Sequence, residues 1–350
     1  MKNTVNVLEY GADPTAQIDS TASFQAAIND MAQCEGTVVV PPGHYLCKTL
    51  KMLPRTQLSG FSPWSFRQNA GSVLILKDEN AACLLDLTDA SGAIVKGLCL
   101  EGGHLGEGIC GILVHKDGYT QAGEEDVLCL EDCRIANFSG DGIRLEKIWC
   151  YRIRHCMIAF NHKNGLYADG WDGFIMDCWF SGNKESGIRG GAFFQSTLIT
   201  ANRIEWNGSA GILLDQTYCL NITGNSFDRC GGPGLKICAR NGAENSTITI
   251  TGNCFCRCGS KQSEEEPYES CQLFLEDCCN ASVSGNAMTV GQDDHQQGVL
   301  SPWYGIVYRR LKNCDILGNA IAAGAVRESL LNLDCCTENS SVNKEPKHII

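Results

Sequence analysis

Gly142-Ile143-Arg144-Leu145-Glu146, Gly165-Leu166-Tyr167-Ala168-Asp169, Gly187-Ile188-Arg189-Gly190, Gly211-Ile212-Leu213-Leu214-Asp215 and Gly234-Leu235-Lys236-Ile237 follow one another at intervals of 23, 22, 24 and 23 residues. Each line opens on a glycine and continues as a short apolar run. A second column keeps step with it: Asp132, His155, Asp177, Asn202, Asn225, Asn253, Asn286 and Asn319. A fixed period of this length, built from short apolar runs, is the signature of a solenoid.

The runs identify the kind of solenoid. The Leu-x-x-Leu-x-Leu pattern of a leucine-rich repeat is absent. Each period holds about three strand-like runs separated by Gly, Asn or Asp. Within Ile212-Leu213-Leu214-Asp215 the side chains alternate between two faces. Leu220-Asn221-Ile222-Thr223 and Ser246 to Thr251 hold the β-branched residues that strands favour. Three strands per turn, each paired with its equivalents above and below, make a parallel β-helix. The wider spacing from Asn253 to Asn286 to Asn319 reads as turns with long loops inserted.

Length and composition fit this. A chain of 350 residues is long for one globular core, but a solenoid grows without enlarging its core. No apolar run is long enough to span a membrane. No charged-then-apolar leader precedes Val5-Asn6-Val7, so the expected location is the cytoplasm, or outside the cell if a leader has been removed. A formal net charge of −12 argues against nucleic acid as a partner. The 22 cysteines read as free thiols in a reducing compartment. Cys133, Cys156 and Cys178 each follow the second column by one residue, with Cys254 at the same place, and read as stacked small hydrophobes. Cys254, Cys256 and Cys258 read as core packing, because their spacing is not that of a zinc site.

Residues 1–60 read as an N-terminal cap. Asp19-Ser20-Thr21 starts a helix in which Phe24, Ala27, Ile28 and Met31 fall on one face. Residues 61–336 read as the β-helix and 337–350 as a polar tail. Tyr10-Gly-Ala-Asp13, the helix from Asp19 to Ile28, and Gly36-Thr-Val-Val-Val-Pro-Pro-Gly-His-Tyr45 resemble the opening of pectate-lyase-like right-handed β-helix proteins. That superfamily includes polygalacturonases, lyases, epimerases, inulin fructotransferases and phage tailspikes. The resemblance implies an all-β, right-handed, single-stranded parallel β-helix of about nine or ten coils, and it leaves the chemistry open.

Polygalacturonases need an Asn-Thr-Asp strand, then Asp-Asp, Gly-His-Gly and Arg-Ile-Lys. Only Gly291-Gln292-Asp293-Asp294-His295 echoes this, and it reads as a loop. Trp303 to Tyr308 followed by Ile316 to Ile321 is similar to a late coil of the inulin fructotransferases. Their acid pair would fall near His155 and Tyr167, neither of which is acidic.

The site is therefore sought in the outward positions. The second residue after each glycine gives Arg144, Tyr167, Arg189, Leu213 and Lys236. The fourth gives His115, Glu146, Asp169, Gly191, Asp215, Cys238 and Arg309. Coils stack about 4.8 Å apart, so Glu146 and Asp169 would lie about 5 Å apart and Asp169 and Asp215 about 10 Å apart. The first spacing is near that of a retaining glycosidase pair and the second near that of an inverting pair. Asp169 and Asp215 are the leading acid/base candidates, with Glu146 as alternate. Arg144, Tyr167, Trp171, Arg189, Lys236 and His115 are the substrate-binding candidates. Trp179 and Trp206 read as core. His115, His155 and His162 are acid–base candidates, though His155, in the turn column, reads rather as structural. Insertions at Lys116–Asp126, Ser260–Ser270 and Gly291–Trp303 are expected on one side, as walls of a cleft.

The expected function is an enzyme acting on glycosidic bonds of an oligosaccharide or polysaccharide, a glycoside hydrolase first. The alternatives are a uronate lyase or epimerase, an inulin-fructotransferase-like enzyme, or a glycan-binding tailspike-like module. No cofactor or metal is expected, Ca²⁺ entering only with a lyase. The partners are a glycan, no membrane, and at most copies of itself in a homotrimer.

Overall fold

The computed structural model describes residues 3–118, 125–239, 242–334 and 337–342. Part of the Lys116–Asp126 insertion, Cys335, Cys336 and most of the C-terminal tail lie outside these. The chain divides into two compact units, Met1–Trp179 and Phe180–Ile350. Both are built of coils with three parallel strands each.

In the first unit, Cys83–Asp86, Cys110–Val114 and the beginnings of Ile143–Arg154 and Leu166–Met176 form a first sheet. Ile94–Lys96, Leu128–Glu131 and the far halves of those long strands form a second. Gly43–Cys47, Ser72–Leu76, Cys99–Glu101, Arg134–Ala136 and Met157–Ala159 form a third. The helix Thr21–Ala32 lies near the start, with Phe24, Ala27, Ile28 and Met31 buried. Phe24 meets Tyr45 edge to face at 5.3 Å. In the second unit the first sheet runs through Ile212–Asp215, Leu235–Cys238, the start of Cys271–Ser284, and Tyr304–Lys312.

Two features set the coil spacing. At the glycine column, backbone passes too close for a side chain. A Cβ at Gly211 would lie 2.5 Å from the Gly234 carbonyl oxygen, and one at Gly142 would lie 2.8 Å from that of Gly165. Beside it runs a ladder of buried asparagines. The backbone N–H and side-chain amide of Asn225 both donate to Oδ1 of Asn253, at 2.9 and 3.0 Å. Asn253 donates in the same way to Asn286, and Asn286 to Asn319. The second amide hydrogen goes to a strand carbonyl, Ile222 for Asn253 at 3.0 Å. Buried amides that complete each other's bonds in this way satisfy every polar atom.

The structure corrects the column of the sequence reading in the first unit. Asp132, His155 and Asp177 have φ of 56°, 48° and 55°, as Ala201 and Gly224 do at 56° and 66°. They occupy the left-handed turn position, one residue before the ladder. The ladder position itself holds Cys133, Cys156 and Cys178, all at most 2% exposed. Small polar side chains tolerate the left-handed conformation and so mimic the asparagine spacing there. Cys254 is exposed and Cys256 half-buried, because they lie on a third-sheet strand whose interior residue is Phe255; only Cys258 packs inside. A second ladder went unread: Asn183 donates to Asn207 Oδ1 at 3.2 and 2.9 Å.

Trp179 and Trp206 are not core. Trp179 follows the buried Cys178 and so points outward, where Phe66 stacks on it at 5.0 Å. Trp206 is 41% exposed, with the Arg229 guanidinium 4.3 Å over its ring. Lys116–Asp126 joins a first-sheet strand to a second-sheet strand of its unit, whereas in the second unit the other two lead from Cys254–Cys256 and Ala287–Thr289 to the first-sheet strands Cys271–Ser284 and Tyr304–Lys312. Gly291–Asp293 is not a plain loop: it pairs antiparallel with Gln297–Ser301 as a hairpin.

All twenty described cysteines are free thiols. Titration of the denatured protein should therefore find at least twenty thiols. In the native protein the exposed Cys219 and Cys254 should react first. Replacing Asn253 by Ala orphans the Asn225 backbone N–H and should cost about 3 kcal/mol. Thr247→Ala, on the surface, should stay within about 0.5 kcal/mol of wild type. Equal unfolding midpoints for the two variants would show that the ladder does not set stability.

Candidate active site

Alternation decides which side chains face out. On the first-sheet strands of the first unit, Ile143, Leu145, Leu166 and Ala168 are buried, which turns Arg144, Glu146, Tyr167 and Asp169 outward. Register then places Arg144 opposite Tyr167 and Glu146 opposite Asp169 on adjacent coils. The Arg144 guanidinium lies 4.2 Å over the Tyr167 ring. It donates to Glu146 Oε1 at 2.8 Å and to Asp141 Oδ2 at 2.9 Å. His115 Nδ1 meets the other Glu146 oxygen. Asp141 is itself fixed, accepting from the backbone and side chain of Asn164 at 2.9 Å.

Burial pushes the Glu146 carboxyl up, but the hydrogen bonds from His115 and Arg144 outweigh it and hold the group below its ordinary value. Glu146 is thus an ionised carboxylate at neutral pH, suited to a base or nucleophile. The strand bends just beyond it, where Lys147 takes a φ of 57° and the register slips. The bend brings Trp149 into register with Trp171, with ring centres 6.4 Å apart. The Trp149 indole donates to Asp172 Oδ2 at 2.8 Å. A carboxylate pair therefore adjoins an aromatic shelf.

In the second unit the outward positions of the first-sheet strands are tied by ion pairs. Arg189 grips Asp215 with two parallel bonds of 2.8 and 2.6 Å. Cys238 Sγ lies 3.5 Å from Asp215 Oδ1, and its thiol is pushed up to about 12, by burial first and then by that carboxylate. Lys236 pairs with Glu269 at 2.5 Å, so the Ser260–Ser270 insertion does wall this face. Phe274 lies under Lys236 and Arg309, and Tyr268 packs on it at 5.8 Å. Arg309 donates to Glu276 at 2.7 Å.

Phe274 and Glu276 belong to the two outward columns but were missed. Their coil opens on Gln272 where the coils on either side have Gly234 and Gly305, since Leu235 pairs with Leu273 and Leu273 with Ile306. Counting register from Leu273, an apolar residue in the usual place, would have found them. Of the expected site residues, the structure brings His115, Arg144, Glu146 and Tyr167 into contact in one unit and Arg189 and Asp215 in the other. Trp171 stands beside Trp149, and Lys236 is engaged by Glu269. Asp169 and Asp215 belong to different units, so their pairing stays an expectation. His155 bonds Asp132 at 2.7 Å under the ring of Trp64, and His162 stacks on His104 at 4.2 Å; His155 and His162 both lie in turns. Among the described residues no three His, Cys, Asp or Glu side chains converge as metal ligands. No helix among them is long and apolar enough to cross a membrane.

The family described as Right handed beta helix region matches residues 149–321, and the one described as Rhamnogalacturonase A/epimerase, pectate lyase-like matches residues 4–74. Among solved structures, the A-module of a mannuronan C-5 epimerase from Azotobacter vinelandii is similar with a TM-score of 0.70 at 16% identity, covering 97% of this chain and 100% of that one. DFA-IIIase from Arthrobacter chlorophenolicus A6 in complex with GF2 is similar at 0.68 and 15%, covering 98% and 94%. The enzymatically active domain of tailspike protein 2 of bacteriophage CBA120 is similar at 0.73 and 13%, covering 98% of this chain and 52% of that one. At these identities the likeness shows the fold.

The lowered Glu146 carboxyl has a stability consequence. Its contribution is present above the ordinary glutamate range and is lost as pH falls through its folded value. Glu146→Gln should therefore melt below wild type at neutral pH, and the two melting curves should converge as the solution is acidified. A gap that widens in acid would contradict this assignment.

Proposed function

Starting from a right-handed parallel β-helix of the pectate-lyase-like superfamily, we propose that the chain is a carbohydrate-active enzyme that breaks or transfers a glycosidic bond, with Glu146 and Asp169 as its carboxylate pair. The observation behind this is the register of these two acids on adjacent outward positions, next to Trp149 and Trp171. Strand spacing puts their backbones about 4.8 Å apart, near the separation of a retaining pair. Glu146, held ionised by Arg144 and His115, takes the role of nucleophile or base. Asp169 takes that of proton donor. Asp215, with both oxygens in the fork of Arg189, serves better as a positioning group than as an acid.

A uronate lyase or epimerase would use Arg144, Arg189 or Lys236 on a substrate carboxylate. The epimerase likeness keeps this class in view. Each of those cations already has an acidic partner in its own unit, which favours the glycosidic reading. That none of the twenty described cysteines is in a disulfide supports a reducing compartment.

Glu146→Gln and Asp169→Asn should each lower turnover by about 10²- to 10⁴-fold while leaving the fold intact. Asp215→Asn should cost less, and chelator should leave turnover unchanged. The product should keep the anomeric configuration of the substrate. Growth of ultraviolet absorbance from an unsaturated ring, or full activity in both of the first two variants, would reject the reading.

A further inference from the structure

Lys147, at the bend beside Glu146, gives its ammonium to the Asp117 backbone carbonyl, whereas four other cations on the first-sheet strands of the two units are each paired with an acid of their own unit. Arg144 is held by Asp141 and Glu146, Arg189 by Asp215, Lys236 by Glu269, and Arg309 by Glu276. A substrate carboxylate arriving beside Glu146 must draw Arg144 off its acids or settle against them. The whole chain has a formal net charge of −12, so the long-range field opposes an anion as well.

Trp149 lies immediately beyond the acids. Its indole is half-buried, locked at Nε1 by Asp172, and backed by Trp171 on the next coil. Its backbone N–H is tied to Asp126 at 2.8 Å. A fixed aromatic face with one polar edge satisfied suits the apolar C–H face of a sugar ring, and adds no charge.

Resting on the glycosidic reading above, we propose that the substrate is an uncharged oligosaccharide with one ring stacked on Trp149, and that the pairing of Arg144 with Asp141 and Glu146 disfavours uronic-acid glycans there. The recognition then comes from stacking and from hydroxyl contacts to acids already in place. Trp149 is a substrate-contacting residue in this scheme, and Asp172 a positioning residue.

Titration calorimetry on the full chain tests this with two probe sets of matched length. One set is fructo-, gluco- and xylo-oligosaccharides; the other is oligogalacturonates and oligomannuronates. A neutral member should bind at least about tenfold more tightly than any acidic one at low salt, the gap narrowing as salt screens the face. Trp149→Ala should weaken the neutral glycan by about tenfold or more, while Trp149→Phe keeps most of the affinity and controls for folding. Acidic glycans binding equally well, neither set binding, or Trp149→Ala binding like wild type would each overturn the proposal. The two readings separate cleanly. A uronic glycan turned over with dependence on Glu146 rejects the substrate class and keeps the acid pair. A neutral glycan held by Trp149 but turned over at full rate by Glu146→Gln and Asp169→Asn rejects the acid pair alone.

Discussion

A buried asparagine has two side-chain donors and an acceptor to satisfy, and the column from Asn202 to Asn319 does so by having each coil complete the bonds of its neighbour. An unpaired buried amide costs more than a made bond returns, so no coil can slip without penalty to two others. In the second unit register follows from that constraint, and in both units outward chemistry follows from register. Glu146 stands beside Asp169, and Arg144 beside Tyr167, because one-residue slippage would turn all of them inward. In the first unit the same position holds thiols, which bond weakly. There Cys156 Sγ lies 3.7 Å from the Leu130 carbonyl, and much of the constraint passes to packing and to the glycine column.

The fold was legible because its two strongest requirements leave sequence marks. Close backbone approach demands glycine at Gly211 or Gly142, and a buried polar ladder demands asparagine at Asn225 or Asn253. Where a requirement can be met by different residue types the mark blurs. A left-handed turn accepts Asp132 or His155 as well as Gly224, and this displaced the column by one residue in the first unit. Gln272 replaces glycine at the start of one coil, and Phe274 and Glu276 vanished from view with it. The outward positions themselves were readable from alternation. Their pairing was not, because side-chain partners such as Asp141 for Arg144 or Glu269 for Lys236 come from turns and insertions whose path no periodicity dictates.

Those partners change the character of the face. Counted as a column, Arg144, Arg189 and Lys236 look like a cationic strip. Seen with their acids, they are props: Arg144 orients Glu146 while lying flat on Tyr167, and Arg189 immobilises Asp215. Charge-assisted, two-pronged bonds of this kind fix direction as much as they supply energy. The acids are thus held in fixed directions beside Trp149 and Trp171 before any ligand arrives.

The asparagine rungs are 23 residues apart in sequence at Asn202–Asn225, 28 at Asn225–Asn253 and 33 at Asn253–Asn286, yet the bonds between them are 3.0, 3.0 and 2.9 Å long. Contour length and spatial rise are thus uncoupled. A corner can acquire ten extra residues, as the one leading to Cys271 did, while the next rung still falls at the same height. Descendants of such a chain can vary corners freely and inherit the frame unchanged, or gain and lose whole coils as indivisible modules. Variation in this architecture is therefore channelled to the corners and withheld from the stack that sets the outward positions.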